Sequence, residues 1–427
     1  MSCSSATLAS RPVLANAPSA VRAGGLPPAL ATSLPALPAG RLSPAAAFYL
    51  LASITLSFLA GSSATTPLYP LYQAEWGFSP VTVTLVFGIY ALAVLSALLV
   101  AGRLSDHVGR RPVLIVSTLA QAVSMLIFAT ADGVSGLLVA RVIQGLSTGA
   151  AVAAVGAGLI DLDKTRGTIA NSVAPMMGTA IGGVAGGLMV HYLPAPTHLV
   201  YLVLGLIFIV QGIGVLLMPE SVASRSGALA SLKPQFRLPA AARSAMLVAV
   251  PALVAAWALA GFYASLGPAL VHRIFGFDSS LFGGLALFIL AGSGGLAVLL
   301  LQNLQARTMM TFGASALLAG VAIALAAVSW HSAMAFFGGT ALAGMGFGAG
   351  FQGAIRTVVA IAAPRERAGV LSVTFVVSYL AMGLPAVVAG YLLVRGGNII
   401  ATAQQFGTVV MVLAALALLG TVTSRSK

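Results

Sequence analysis

Apolar positions in this chain form long unbroken runs rather than stripes. Beyond residue 43 they cover about 46–68, 80–101, 112–131, 134–160, 168–190, 198–218, 245–267, 281–301, 309–328, 333–359, 369–393 and 401–423, with short polar stretches between. A helix rises 1.5 Å per residue, so a run of about 20 residues crosses a hydrocarbon core of about 30 Å. Twelve membrane-spanning helices are predicted. A transmembrane barrel would need segments of about ten residues with alternating polarity, which these runs lack. The longest interval, 219–244, divides the spans into six and six and reads as a linker between two bundles, 44–218 and 245–427.

Composition agrees with a bilayer. Of the 427 residues 59% are hydrophobic and only 7% charged, too few charges to cover a water-facing surface. The net charge of +13 would raise the question of nucleic acid in a soluble chain, but the basic residues stand singly between apolar runs, without interleaved aromatics, and no nucleic-acid partner is expected. They act as topology signals instead. With a cytoplasmic N-terminus, Arg103, Arg110, Arg111, Lys164, Arg166, Arg225, Lys233, Arg237, Arg243, Arg307, Arg365 and Arg367 fall on cytoplasmic loops, and Arg11, Arg22, Arg41, Arg425 and Lys427 on the termini. Only Arg273 and Arg395 fall outside, so both termini are expected in the cytoplasm of an inner (cell) membrane protein. Residues 1–43 hold six prolines, three arginines and no acid; they read as a disordered tail, with a transit peptide or an over-extended gene start as alternatives. The sole cysteine, Cys3, excludes an internal disulfide framework.

Several motifs carry functional readings. The loop between spans two and three reads GRLSDHVGRRPVL, from Gly102 to Leu114. In Gly102, Leu104, Asp106, Gly109, Arg110 and Arg111 it resembles the signature G-x-L-x-D-x-x-G-R-[RK] of the major facilitator superfamily. The equivalent loop of the second half, QNLQARTMM, keeps only Arg307. The halves also echo each other in DKTRG (163–167) and RERAG (365–369), an alignment that sets Gly183 opposite Pro385. The resemblance implies a twelve-helix fold of two pseudo-symmetric bundles, a secondary transporter whose solute site lies at mid-membrane between them, and a gating role for the Gly102–Arg111 loop. It also sets Asp106 beside the start of span eleven.

In span four, Arg141, Gln144 and Gly145 share one helix face; a charge there must face a partner or a wet cavity, although an arginine can also snorkel to an interface. The pattern resembles the R-x-x-Q-G of proton-coupled members, which implies a coupling role for Arg141 and Gln144. Span five places Gly178, Gly182 and Gly186 on one stripe with Gly183 and Gly187 beside it. This resembles the G-x-x-x-G-P-x-x-G-G of drug antiporters, with Gly183 where that pattern has proline; plain helix packing is the other reading. Ser53, Ser57, Trp257, Tyr263, Phe351, Gln352 and Tyr379 are candidate cavity residues, each of which packing also explains.

The eight acids, Glu75, Asp106, Asp132, Asp161, Asp163, Glu220, Asp278 and Glu366, all fall in loops or at span ends. If protons are used, their carriers must be peripheral, with Asp106, Asp161 and a partly buried Glu75 as the candidates. No phosphate-binding loop, metal-ligand spacing or hydrolytic constellation appears, so no cofactor, metal or enzymatic activity is expected. The expected activity is proton-coupled efflux of a small amphipathic or neutral solute by a monomer. Import of a neutral or monoanionic nutrient, with Arg141 meeting a carboxylate, and a non-transporting sensor or assembly role are the rivals.

Overall fold

The computed structural model describes residues 41–234, 236, 238–276, 280–363 and 365–423. All but the last three residues of the 1–43 tail lie outside the described residues, as do Arg237, Asp278, Arg425 and Lys427. Twelve helices are long and apolar enough to cross a membrane: span 1 Pro44–Trp76, span 2 Pro80–Ala101, span 3 Arg110–Ala129, span 4 Val134–Leu162, span 5 Lys164–Tyr192, span 6 Pro196–Leu217, span 7 Ala240–Phe275, span 8 Leu281–Leu301, span 9 Ala306–Trp330, span 10 Ala333–Ile361, span 11 Arg367–Val394 and span 12 Ile399–Thr423. Among the described residues there is no strand.

Local chemistry sets the ends of these helices. Ser43, Asp163 and Ser332 accept from backbone amides of the first turns of spans 1, 5 and 10, and Pro44, Pro80 and Pro196 open their helices where an amide would lack a partner anyway. Span 1 runs past its expected end near 68. Pro67 tightens the chain into a short three-residue turn, Thr66–Leu68, and a further helix, Tyr69–Trp76, then closes on Gly77 at φ 65°. Span 7 starts at Ala240 rather than 245 and continues to Phe275 as one helix, with Pro251 and Pro268 inside it.

Burial sorts the helices. Spans 2 and 7 are 61% buried, spans 6 and 12 only 33% and 28%. Leu206, Val210, Val412 and Leu419 are among the exposed apolar side chains of the outer pair, a surface that suits lipid and not water. One apolar core is drawn wholly from the first six spans and their flanks, around Ile54, Phe58, Leu114 and Tyr201. Others come wholly from the last six, around Leu259, Phe262, Leu317 and Val358.

The two halves repeat each other's contacts. A Cβ on Gly145 or Gly149 of span 4 would lie 2.7 and 2.5 Å from the Tyr90 and Val94 carbonyl oxygens of span 2; on Gly344 or Gly348 of span 10 it would lie 2.2 Å from those of Leu290 and Gly294 of span 8. Arg111, at the start of span 3, donates to the Leu216 carbonyl at the end of span 6, and Arg307, at the start of span 9, donates to the Thr421 carbonyl at the end of span 12. Between the halves, span 2 packs on span 11 and span 5 on span 8.

Candidate functional site

The first cluster occupies the end of the bundle that carries the Gly102–Arg111 loop, here called the basic end. Arg110 is buried and donates through Nη1 to Asp106 Oδ1 at 2.5 Å and Ser105 Oγ at 2.7 Å, and through Nε to Asp161 Oδ2 at 3.2 Å. The linker completes the cluster. Glu220 accepts from the backbone N–H groups of Arg110 (2.9 Å) and Arg111 (3.0 Å), a carboxylate at the positive end of span 3. Ser221 Oγ donates to Asp161 Oδ2 at 3.1 Å, and the Arg225 amide to the His107 carbonyl at 2.7 Å. Gly109 sits at φ 99°, ψ 157°, a region open essentially to glycine alone, and a Cβ there would fall 2.5 Å from Glu220 Oε2. Gly102 ends span 2 where that turn begins. Asp106 is half exposed and held within its own half; among the described residues it makes no hydrogen bond or ion pair to the start of span 11.

The second cluster surrounds Arg141, about 10 Å along span 4 from its far end. Its side chain is fully buried. Nη1 donates to the Ser62 carbonyl at 3.1 Å and to Gln144 Oε1 at 2.6 Å; Nη2 donates to Tyr69 OH at 2.5 Å and to Thr65 Oγ1. Tyr69, Tyr90 and Phe128 cage the guanidinium with ring centroids 5.7, 5.2 and 5.6 Å away. Among the described residues no carboxylate bonds it. Gln144 is oriented in turn by donating to the Gly61 carbonyl at 3.2 Å, so Arg141 and Gln144 act on span 1 together. Glu75, beyond this cluster on the Tyr69–Trp76 extension, is exposed rather than partly buried.

The glycines of span 5 divide between two neighbours. A Cβ on Gly178, Gly182 or Gly186 would fall 2.3, 2.1 or 2.5 Å from the carbonyl oxygens of Leu56, Ala60 and Ala64, so this stripe seats span 5 on span 1 within one half. Gly183 faces the other half, where a Cβ on Gly284 of span 8 would lie 2.2 Å from its carbonyl oxygen; Gly187 is buried one turn on. Away from the basic end the halves meet closely: Thr66 Oγ1 donates to the Ala264 carbonyl at 2.9 Å, and a Cβ on Gly390 would fall 2.2 Å from Thr84 Oγ1. Beside that closure lies a cavity of about 250 Å³ lined from both halves, by Tyr69, Gln73 and Pro80 and by Ser265, Pro268 and Ile399. Nearer the basic end Gln352 Nε2 of span 10 donates to Ser172 Oγ of span 5 at 3.1 Å.

The expected cavity residues do not all converge. Trp257, Phe351 and Tyr379 come together at mid-membrane, with ring centroids 5.1 Å apart for Trp257–Phe351 and for Trp257–Tyr379. Tyr263 is buried within the second half, its hydroxyl 2.8 Å from Thr340 Oγ1. Ser53 and Ser57 face span 6, where Ser57 donates to Gln211 Oε1 at 2.9 Å and Gln211 donates to Ser53 at 3.2 Å. Glu220, Gln211, Thr65 and Tyr69 were not singled out from sequence. Glu220 carried a signal in MPES, an acid at the end of an apolar run beside a basic loop.

The family model described as Major Facilitator Superfamily matches residues 51–386. The chain is 30% identical over 124 residues to the "Inner membrane transport protein YnfM" of Escherichia coli (strain K12), covering 29% of this chain and 30% of that one. It is 36% identical over 103 residues to the "Multidrug resistance protein MdtL" of Klebsiella pneumoniae (strain 342), covering 24% and 26%. These alignments span less than a third of either relative. Among solved structures, a bacterial homolog of the human lysosomal transporter Spinster superposes with a TM-score of 0.71 at 15% identity, over 89% of this chain and 97% of that one, a likeness of fold. The helix count, the paired halves, the Gly102–Arg111 loop and the family match over most of the length agree: this chain belongs to the major facilitator superfamily, a family of membrane transporters.

Proposed function

We propose that this multi-pass membrane transporter exports a small, uncharged or amphipathic solute by alternating access, driven by protons. In this reading residues 44–218 and 245–427, joined by the 219–244 linker, rock against each other around the mid-membrane space between them, the basic end and both termini face the cytoplasm, and the monomer is the working unit in an inner membrane. The observation that carries it is the chemistry of the space between the halves. From mid-depth toward the basic end the side chains that meet there are aromatic, aliphatic, thioether, amide and hydroxyl groups, and the acids outside them sit in loops or at span ends. Such a surface suits a lipophilic or neutral solute and leaves multiply charged ones without partners. The partial likeness to a multidrug resistance protein supports the outward direction.

Import of a monoanionic nutrient needs Arg141 to meet a substrate carboxylate. Both Nη atoms of that guanidinium already donate to oxygens, its Nε alone lacks a partner among the described residues, and the side chain is fully buried, which argues against it. Asp106 and Asp161, which share Arg110, are the proton carriers we favour at the basic end, and exposed Glu75 the one at the other.

A strain lacking the gene tests export directly when challenged with a panel of lipophilic compounds. Hypersensitivity that the wild-type gene reverses and Arg141→Ala does not is expected, together with loss of efflux on adding an uncoupler. Failure to grow on one nutrient, without hypersensitivity, would overturn export. Efflux indifferent to a pH gradient would replace antiport by facilitated diffusion.

A further inference from the structure

We infer that the second half carries, at mid-membrane, a binding box for a flat, uncharged solute bearing a hydrogen-bond acceptor, built from Trp257, Phe347, Phe351 and Tyr379 with Ser378 at the same depth. Phe347 and Phe351 present themselves near-perpendicular to the Trp257 ring, at 6.1 Å and 78° and at 5.1 Å and 76°, and Tyr379 is tilted at 45° on it. These four side chains are partly exposed although they lie in the middle of their spans. Their outer neighbours belong to the other half: Phe87 and Ala91 of span 2 beside Trp257 and Tyr379, and Val173 and Met176 of span 5 beside Phe347 and Phe351. Movement of one half against the other therefore covers and uncovers the box.

Two polar atoms give it a chemical preference. Trp257 Nε1 and Ser378 Oγ are both buried without a hydrogen-bond partner among the described residues. Spans 7 and 11 run in the same direction, and Gly261 sits against the Met382 carbonyl, so one turn back along each helix Trp257 and Ser378 stand level. Buried polar groups are nearly always paired, and an unpaired one is costly. The indole N–H can only donate, so what satisfies it must be an acceptor. Aromatic edges and faces at these angles receive a further ring in offset or edge-to-face contact. No charged side chain belongs to the box, and Arg141 lies in the other half with its Nη donors engaged; an anion would be desolvated here without compensation, and a cation held on the ring faces but lacking an acceptor would leave the indole N–H unsatisfied.

This inference rests on the transport reading only in taking the box as a station for the transported solute. Binding to the purified full-length chain in detergent tests it without reference to direction, using three bicyclic probes of similar size: coumarin (neutral, with a carbonyl acceptor), naphthalene (neutral, without one) and 2-naphthoate (anionic). Scintillation proximity with labelled probes should show saturable coumarin binding, roughly tenfold weaker naphthalene binding and no saturable binding of the anion. Trp257→Phe keeps the ring but removes the N–H; it should weaken coumarin roughly tenfold and leave naphthalene within about twofold, and Ser378→Ala should weaken coumarin severalfold. Should Trp257→Phe fail to purify as a monodisperse protein, Ser378→Ala and the coumarin-to-naphthalene ratio carry the test. Equal affinity for all three probes, absence of coumarin binding, or coumarin binding untouched by the variants would overturn the box. If binding holds while the compound panel shows no export, only the export reading falls.

Discussion

Arg141 owes its place to oxygens and rings, not to an acid. Removing a guanidinium from water costs several kcal/mol, and here four hydrogen bonds and three aromatic faces offset it. A lysine ammonium at this position would keep the charge but lose the planar fork that reaches Ser62, Thr65, Tyr69 and Gln144 together. Arg141→Lys is therefore expected to lose most transport and to lower stability by about 1–3 kcal/mol, read as efflux rate and thermal midpoint of the purified protein. Transport at the wild-type rate would mean that charge alone suffices. Gly109→Ala meets both backbone strain and the Glu220 carboxylate, and should destabilise by about 1–3 kcal/mol. Glu220→Ala also costs stability by removing the acceptor of the Arg110 and Arg111 amides, but it relieves the contact with the new methyl, so the double variant should lose less than the sum of the two single losses. The Arg141–Gln144 face was legible because residues three apart on a helix are neighbours. Thr65 and Tyr69 were not, since they reach Arg141 from another span through a turn and helical extension that the apolar run did not announce.

At the level of helices, glycine decides how closely two axes approach, and the side of the helix decides what that approach does. Gly182→Ala would drive a methyl into the Ala60 backbone within one half. Lost folding and low yield are expected. Gly284→Ala would instead press on the Gly183 carbonyl across the two halves, so the protein should fold while its closure away from the basic end is weakened. In a Cys3→Ser background, Ser265→Cys should then react faster with a membrane-impermeant thiol reagent from that side. Equal folding damage in both glycine variants would remove this distinction. The sequence pattern exposed the stripe but not its partners, because packing partners come from tertiary structure. Likewise QNLQARTMM looked like a motif worn down to one arginine. In the fold Arg307 holds the end of span 12 as Arg111 holds the end of span 6, so what persists in the second half is the helix-end contact and not the acidic–basic cluster.

For the molecule as a whole, run length against bilayer thickness made twelve spans and two halves readable from sequence, whereas the placing of cavity residues depended on inter-helix register and came out mixed: Trp257, Phe351 and Tyr379 converge, while Tyr263, Ser53 and Ser57 turn into single halves. Orientation rests on the distribution of Lys and Arg. Reporter fusions at Asp132 and His331 should read as external, and those at Lys164 and Arg243 as cytoplasmic; one reversed site would break the assignment. The fully buried Arg141, to which no carboxylate among the described residues is bonded, has an electrical consequence as well. A charge fixed to a rocking half moves through the transmembrane field, and a full crossing is worth about 2.3 kcal/mol per 100 mV. Even a tenth of that path shifts the balance between the two conformations by about 0.2 kcal/mol per 100 mV. The transport cycle would then respond to membrane voltage even when the solute it carries is neutral.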